Sequence, residues 1–169
     1  MTSRDFTAQV SDLRLHHGNE LNPGDVVRSV SPHFSFNVGL VLHQSESQGG
    51  PVIAALDGDH PFTFWRYEPD TSFLRLVASG DLVVRFDPAQ PSDQRPHVAG
   101  VLTLVQNDVW LCLAASEHGF LRTKHFSLNS WVFSQPRFEE GCFAAYRSWS
   151  LGRSSFGGEF AVVASISAP

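Results

Sequence analysis

Apolar residues in this chain fall into short runs of about four to eight positions, the length of a strand rather than of a helix. Polar stretches rich in Gly, Pro, Asp and Ser separate them. The runs at 25–30, 37–43, 51–56, 62–67, 74–77 and 82–86 each predict a strand. So do those at 98–105, 109–114, 120–126, 130–133 and 160–166. Asn22-Pro23-Gly24, Asp57-Gly58-Asp59 and Ser79-Gly80 supply turns between them. Gln106-Asn107-Asp108 reads as a hairpin tip, and 87–96, with Pro88, Pro91 and Pro96, as a surface loop. Two stretches leave alternatives open. Phe6, Val10, Leu13 and His17 are helically spaced while Leu13 and Leu15 alternate, so 1–20 fits a short helix or an edge strand. Phe138, Cys142, Tyr146 and Trp149 share a helical face, against a strand reading of 141–147.

The pattern nearly repeats. Leu21-Asn22-Pro23-Gly24-Asp25-Val26-Val27-Arg28 returns as Val77-Ala78-Ser79-Gly80-Asp81-Leu82-Val83-Val84-Arg85, a spacing of 80 − 24 = 56 residues. Downstream, Gly39-Leu40-Val41-Leu42 is echoed by Gly100-Val101-Leu102-Thr103-Leu104. His60-Pro61-Phe62 is echoed by His118-Gly119-Phe120, and the segment around Trp65 by that around Trp131. Units of four or five short strands cannot bury a core alone, so the repeats predict one all-β domain over 1–169. Repeat 1 covers about 24–79 and repeat 2 about 80–140. A partial third covers about 141–169 and is completed by 1–23.

Gly24-Asp25 with Trp65, and Gly80-Asp81 with Trp131, make this cycle resemble the β-trefoil repeat of MIR domains and of the amino-terminal domains of inositol trisphosphate and ryanodine receptors. The resemblance spans about residues 21–136. It implies a β-trefoil-like fold whose third unit is permuted. A duplicated small β-barrel or sandwich is the alternative, since Gly-Asp before apolar residues opens many barrel strands.

Charge narrows the partners. The net charge is −5 and the isoelectric point near 5.8, which disfavours nucleic acid, whose binding scales with the phosphates neutralised. The basic residues are scattered, and no apolar window reaches the ~18 residues of a spanning helix, so no membrane partner is expected. Cys112 sits in an apolar run and reads as a packed free thiol; Cys142, without a base at motif spacing, reads as a free thiol that is not catalytic. Two cysteines and no apolar signal core at Met1–Asp5 point to the cytoplasm. The sequence sets no oligomeric state.

Candidate chemistry is sparse. Eight His are present, but none pairs at metal-ligand spacing. No nucleophile elbow, dinucleotide fingerprint or phosphate-binding loop occurs. The carboxylate pairs Asp57/Asp59 and Glu139/Glu140 read as turn and surface residues. No catalytic residue, metal or cofactor is therefore assigned. The densest positive charge lies in His118-Gly119-Phe120-Leu121-Arg122-Thr123-Lys124-His125, which holds the only lysine. Alternation places Arg122 and Lys124 on one strand face, able to hold a phosphate or carboxylate. The same residues also suit a solvated edge strand guarded by lysine. His118, Arg122, Lys124 and His125 are the expected ligand contacts. The expected function is a non-catalytic binding module for a protein, a sugar or a small anionic ligand. The alternative is a small hydrolase using His with Asp or Glu in a cleft between repeats.

Overall fold

The computed structural model describes residues 14–31, 36–45, 49–93, 95–117, 120–138, 143–154 and 159–169, without the side chains of 116, 117, 120 and 121. These residues are all-β, with no α-helix among them. Fourteen strands form: β1 (Leu15–His17), β2 (Val26–Ser29), β3 (Gly39–Gln44), β4 (Pro51–Ala55), β5 (Phe64–Arg66), β6 (Ser72–Val77), β7 (Leu82–Phe86), β8 (Leu102–Val105), β9 (Asp108–Glu117), β10 (Phe120–Ser127), β11 (Phe133–Ser134), β12 (Phe143–Tyr146), β13 (Ser148–Ser154) and β14 (Phe160–Ser167). They pair antiparallel in three sheets. The first is ordered β1-β6-β2-β3-β4-β5, the second β11-β10-β9-β8-β12 and the third β14-β13-β7. No helix of the described residues is long and apolar enough to cross a membrane.

Alternation of side chains sorts the first sheet into two cores. Leu40, Leu42, Val52 and Ala54 face a large cluster, while Val41, Ile53 and Ala55 face a smaller one under Phe36, Tyr67 and Phe73. Both faces are covered, which is why β4 is apolar at every position. The large cluster joins all three sheets: Leu111, Leu113 and Phe126 enter it from the second, Trp149, Leu151 and Ile166 from the third. The Trp149 indole N–H donates to the Gly100 carbonyl at 2.8 Å, so its burial leaves no donor unsatisfied.

The structure describes parts of the two open segments; residues 1–13, with Phe6, Val10 and Leu13, lie outside the described residues. Leu15–His17 is an edge strand on β6, and the segment read as helix or strand becomes β12 followed by β13, although 139–142 lie outside the described residues. Helical spacing of Phe138, Tyr146 and Trp149 is overridden because β12 pairs with β8 and β13 with both β14 and β7. Strand starts also move. The run at 98–105 begins only at Leu102, because Gly100 is left-handed at φ 90°. The run at 130–133 shrinks to Phe133–Ser134, because Trp131 has φ 57°.

The segments that define the 56-residue spacing stand in unlike places. Gly24 is left-handed at φ 90° and Asp25 is fully buried. Gly80 lies inside the 3₁₀ turn Ser79–Asp81, with Asp81 exposed. Strand β2 pairs with β3 and β6, whereas β7 pairs with β13. A different correspondence is visible. In each larger sheet a four-strand meander (β2-β3-β4-β5, β8-β9-β10-β11) has its first strand also paired to the strand after the meander (β6, β12). Two residues before each first strand is a left-handed glycine, Gly24 or Gly100. Two residues before each fourth strand is a left-handed aromatic, Phe62 or Trp131. The aromatics cross over: a Cβ on Gly24 would meet the Trp131 ring at 3.2 Å, and one on Gly100 the Phe62 ring at 2.6 Å.

Gly100→Ala therefore combines a φ that L-residues avoid with a clash against a ring that is 5% exposed. The expected cost is about 2–3 kcal/mol of unfolding free energy, read by urea denaturation. Gly80→Ala, whose Cβ would meet nothing within 4 Å, serves as the control and changes stability little.

Candidate functional site

The structure places three of the four expected ligand residues, Arg122, Lys124 and His125, on β10, on opposite faces. Register pairs Lys124 with Leu113 and Arg122 with Ala115, so the two cations share a face, as alternation requires, and both are exposed. His125 pairs with Cys112 and points to the other face. His118 lies outside the described residues.

The geometry around Lys124 follows from how β11 ends. β10 pairs with β9 along its whole length but with β11 at only two positions, His125↔Ser134 and Phe126↔Phe133. Beyond Ser134 the chain leaves the sheet, so among the described residues Phe120–Lys124 has no partner strand on that side. A notch of about 300 Å³ opens there, lined by Thr123, Lys124, His125, Phe133, Ser134 and Gln135. Its floor is firm, since the Phe133 ring packs on Phe64 at 4.8 Å and on Phe126 at 5.0 Å. An ammonium, two hydroxyls and an amide around an aromatic floor can hold a small anionic or polyhydroxyl group. Arg122 stands beside the notch rather than lining it. Ser134 and Gln135 escaped the sequence reading, because nothing in the local pattern marks where β11 ends.

His125 does not stand ready as a ligand donor. It is 3% exposed, and its Nε2 lies 2.8 Å from the Pro96 carbonyl oxygen, which can only accept, so Nε2 carries the proton. Its ring packs against Phe138 at 4.8 Å and His97 at 5.2 Å. Burial pushes its pKa below the ordinary histidine value; the Pro96 bond opposes this and His97 adds to it.

The other chemistry-bearing groups are mostly engaged in architecture. Asp57 accepts the N–H groups of Asn37 and Val38 at 2.7 and 2.9 Å, and Asp87 that of Ala89 at 2.9 Å. Glu20 accepts the His17 N–H at 2.8 Å, with His16 Nδ1 3.8 Å from the same oxygen. His43 packs edge-on to Phe133 and His60 to Trp65. Cys112 is a free, fully buried thiol, and desolvation raises its pKa to about 12, which withholds the thiolate a nucleophile needs. Among the described residues no group of three or more His, Cys, Asp or Glu converges. Cys142, His33, Glu139 and Glu140 lie outside the described residues. The chain matches no known protein family, no curated protein and no solved structure.

The lowered pKa of His125 has a thermodynamic consequence. Between the folded pKa and the unfolded value of about 6.5, the unfolded chain binds more protons, so stability falls as pH drops through that window and is fully present above it. His125→Gln keeps a donor for Pro96 without titrating. The expected result is a shallower loss of thermal stability between pH 7 and 5 in the variant than in the wild type, measured by scanning calorimetry.

Proposed function

We propose that this protein is a non-catalytic binding module, and that the notch on the β10 edge receives a small anionic group, a carboxylate or phosphate, on a small molecule or protein partner. The observation that carries this reading is the position of Lys124 at that notch, beside the hydroxyls of Thr123 and Ser134 and the Gln135 amide. Arg122, on the same face of the strand, adds attraction from outside the notch. The partner is neither nucleic acid nor membrane, in keeping with the net charge of −5. The reading needs no cofactor. A buried reduced Cys112 supports a cytoplasmic setting.

The scaffold in this proposal is one all-β domain of repeated, trefoil-like units. Support comes from strand order and from local hydrogen bonds that recur between the two larger sheets. Gly24 N–H donates to Val41 O and Gly100 N–H to Cys112 O; Phe62 N–H donates to Ala55 O and Trp131 N–H to Ser127 O. Val38 N–H is capped by Asp57 and Val109 N–H by Asn129. These pairs are offset by 76 (100 − 24), 69 (131 − 62) and 71 (109 − 38) residues. Corresponding positions in this reading are thus spaced nearer 70 than 56 residues, with β1, β7, β13 and β14 outside the two recurring strand sets.

The test is titration of inorganic phosphate, inositol phosphates and nucleotides into wild type and an Arg122→Ala, Lys124→Ala double variant. Both cations are exposed, so solvent screens them, and the expected loss of affinity is on the order of 10- to 100-fold. Equal affinity in the two proteins would remove the notch as the site.

A further inference from the structure

We propose that the outward face of the β14-β13-β7 sheet is a second binding site, independent of the notch, for a sugar that carries one acidic group. The inward face is settled by the core: Leu82, Val84 and Phe86 from β7, Trp149 and Leu151 from β13, and Ile166 from β14 all pack into or against the large cluster. Strand alternation then turns Arg85, Ser148, Ser150, Ser165 and Ser167 outward. Register brings them together. Arg85 stands opposite Ser150, which stands opposite Ser165, one rung across all three strands, and Ser148 stands opposite Ser167. These five residues and Asp87 line a shallow cavity of about 540 Å³, within the range of small-molecule sites.

Arg85 is held in place by a stack that the sequence builds deliberately on this face. A Cβ at Gly152 would fall 2.3 Å from the Ala161 carbonyl oxygen and 2.4 Å from the Phe160 ring, so only glycine lets that ring lie down on the sheet. The Arg85 guanidinium in turn sits 4.0 Å from the Phe160 ring centroid. A guanidinium stacked on an aromatic face keeps its N–H edge for a carboxylate and loses little entropy when it binds one. The register shift between Leu151 and Gly152 sets this arrangement beside Ser150.

The surrounding groups select the ligand class. Four serine hydroxyls both donate and accept, which suits the hydroxyls of a sugar ring. Asp87 can only accept, so it fits a sugar hydroxyl and opposes a multiply charged anion at that end of the cavity. A single carboxylate set against Arg85, with neutral hydroxyls over the serines and Asp87, satisfies all of them.

Ligand-observed NMR and titration calorimetry test this with glucuronate, glucose, acetate and inorganic phosphate as probes. With the notch cations removed in the Arg122→Ala, Lys124→Ala variant, the expected result is that glucuronate binds more tightly than any of the other three. Arg85→Ala should weaken it by about tenfold or more, and Phe160→Leu, which keeps the fold's apolar cover while removing the stack, by a few-fold. Ser150→Ala together with Ser165→Ala should weaken glucuronate without improving acetate. The Arg122→Ala, Lys124→Ala variant should bind glucuronate as the wild type does, which separates this site from the notch. No binding of glucuronate by wild type, equal binding of glucose, or full affinity in Arg85→Ala would each overturn the proposal.

Discussion

A fully buried carboxylate, that of Asp25, stands where the three sheets meet, and much of the architecture depends on its being satisfied there. One oxygen accepts the Asn22 N–H at 2.9 Å and the other the Ser79 N–H at 2.8 Å, with Arg75 Nη1 3.7 Å away. Arg75 belongs to the first sheet. Ser79 opens the turn that feeds β7 into the third. Gly24, next in the chain, is roofed by Trp131 from the second. A buried charge without partners would cost several kcal/mol, so each of these contacts constrains the others. Glycine suits position 24 because its φ is 90° and a Cβ there would crowd Ser79 at 3.0 Å and the Trp131 ring at 3.2 Å.

That economy runs through the molecule and bears on function. Asp57 and Asn129 cap the strands that begin at Gly39 and Asp108, His125 holds the loop at Pro96, and Cys112 is sealed inside the second sheet. Cations and hydroxyls stand together at two places on the surface: Lys124 with Thr123 and Ser134 on one edge, Arg85 with four serines on another face. Such sets are able to form charge-assisted and neutral hydrogen bonds.

Strand content was legible because apolar runs of strand length were bounded by Gly, Pro and Asp, and eleven of the observed strands overlap a run read as such. Register and contact order were not. Gly24 and Gly80 look alike in sequence, yet one is left-handed beneath an indole and the other lies in a 3₁₀ turn. The aromatic positions Phe62 and Trp131, which match each other in backbone conformation, share no sequence context that would have paired them. β13 was hidden because Tyr146 and Trp149 fit a helical face as well as two successive strands. At the candidate site, the placement of Arg122 and Lys124 on one face followed from period two. The burial of His125 did not, because it depends on Pro96, His97 and Phe138, which reach it from loops distant in the chain. The Arg85 face was invisible for the same reason: its serines come from two strands, and only their register makes them neighbours.

The central claim, that Asp25 couples the sheets, is tested most directly by amide hydrogen exchange on Asp25→Asn. The asparagine keeps the size of the side chain but retains only one accepting oxygen, so it cannot serve both Asn22 and Ser79. The account predicts that protection falls together in β2 of the first sheet and in β7 and β13 of the third, by about 2–4 kcal/mol. Faster exchange confined to residues 22–25, with β7 and β13 as protected as in the wild type, would contradict it.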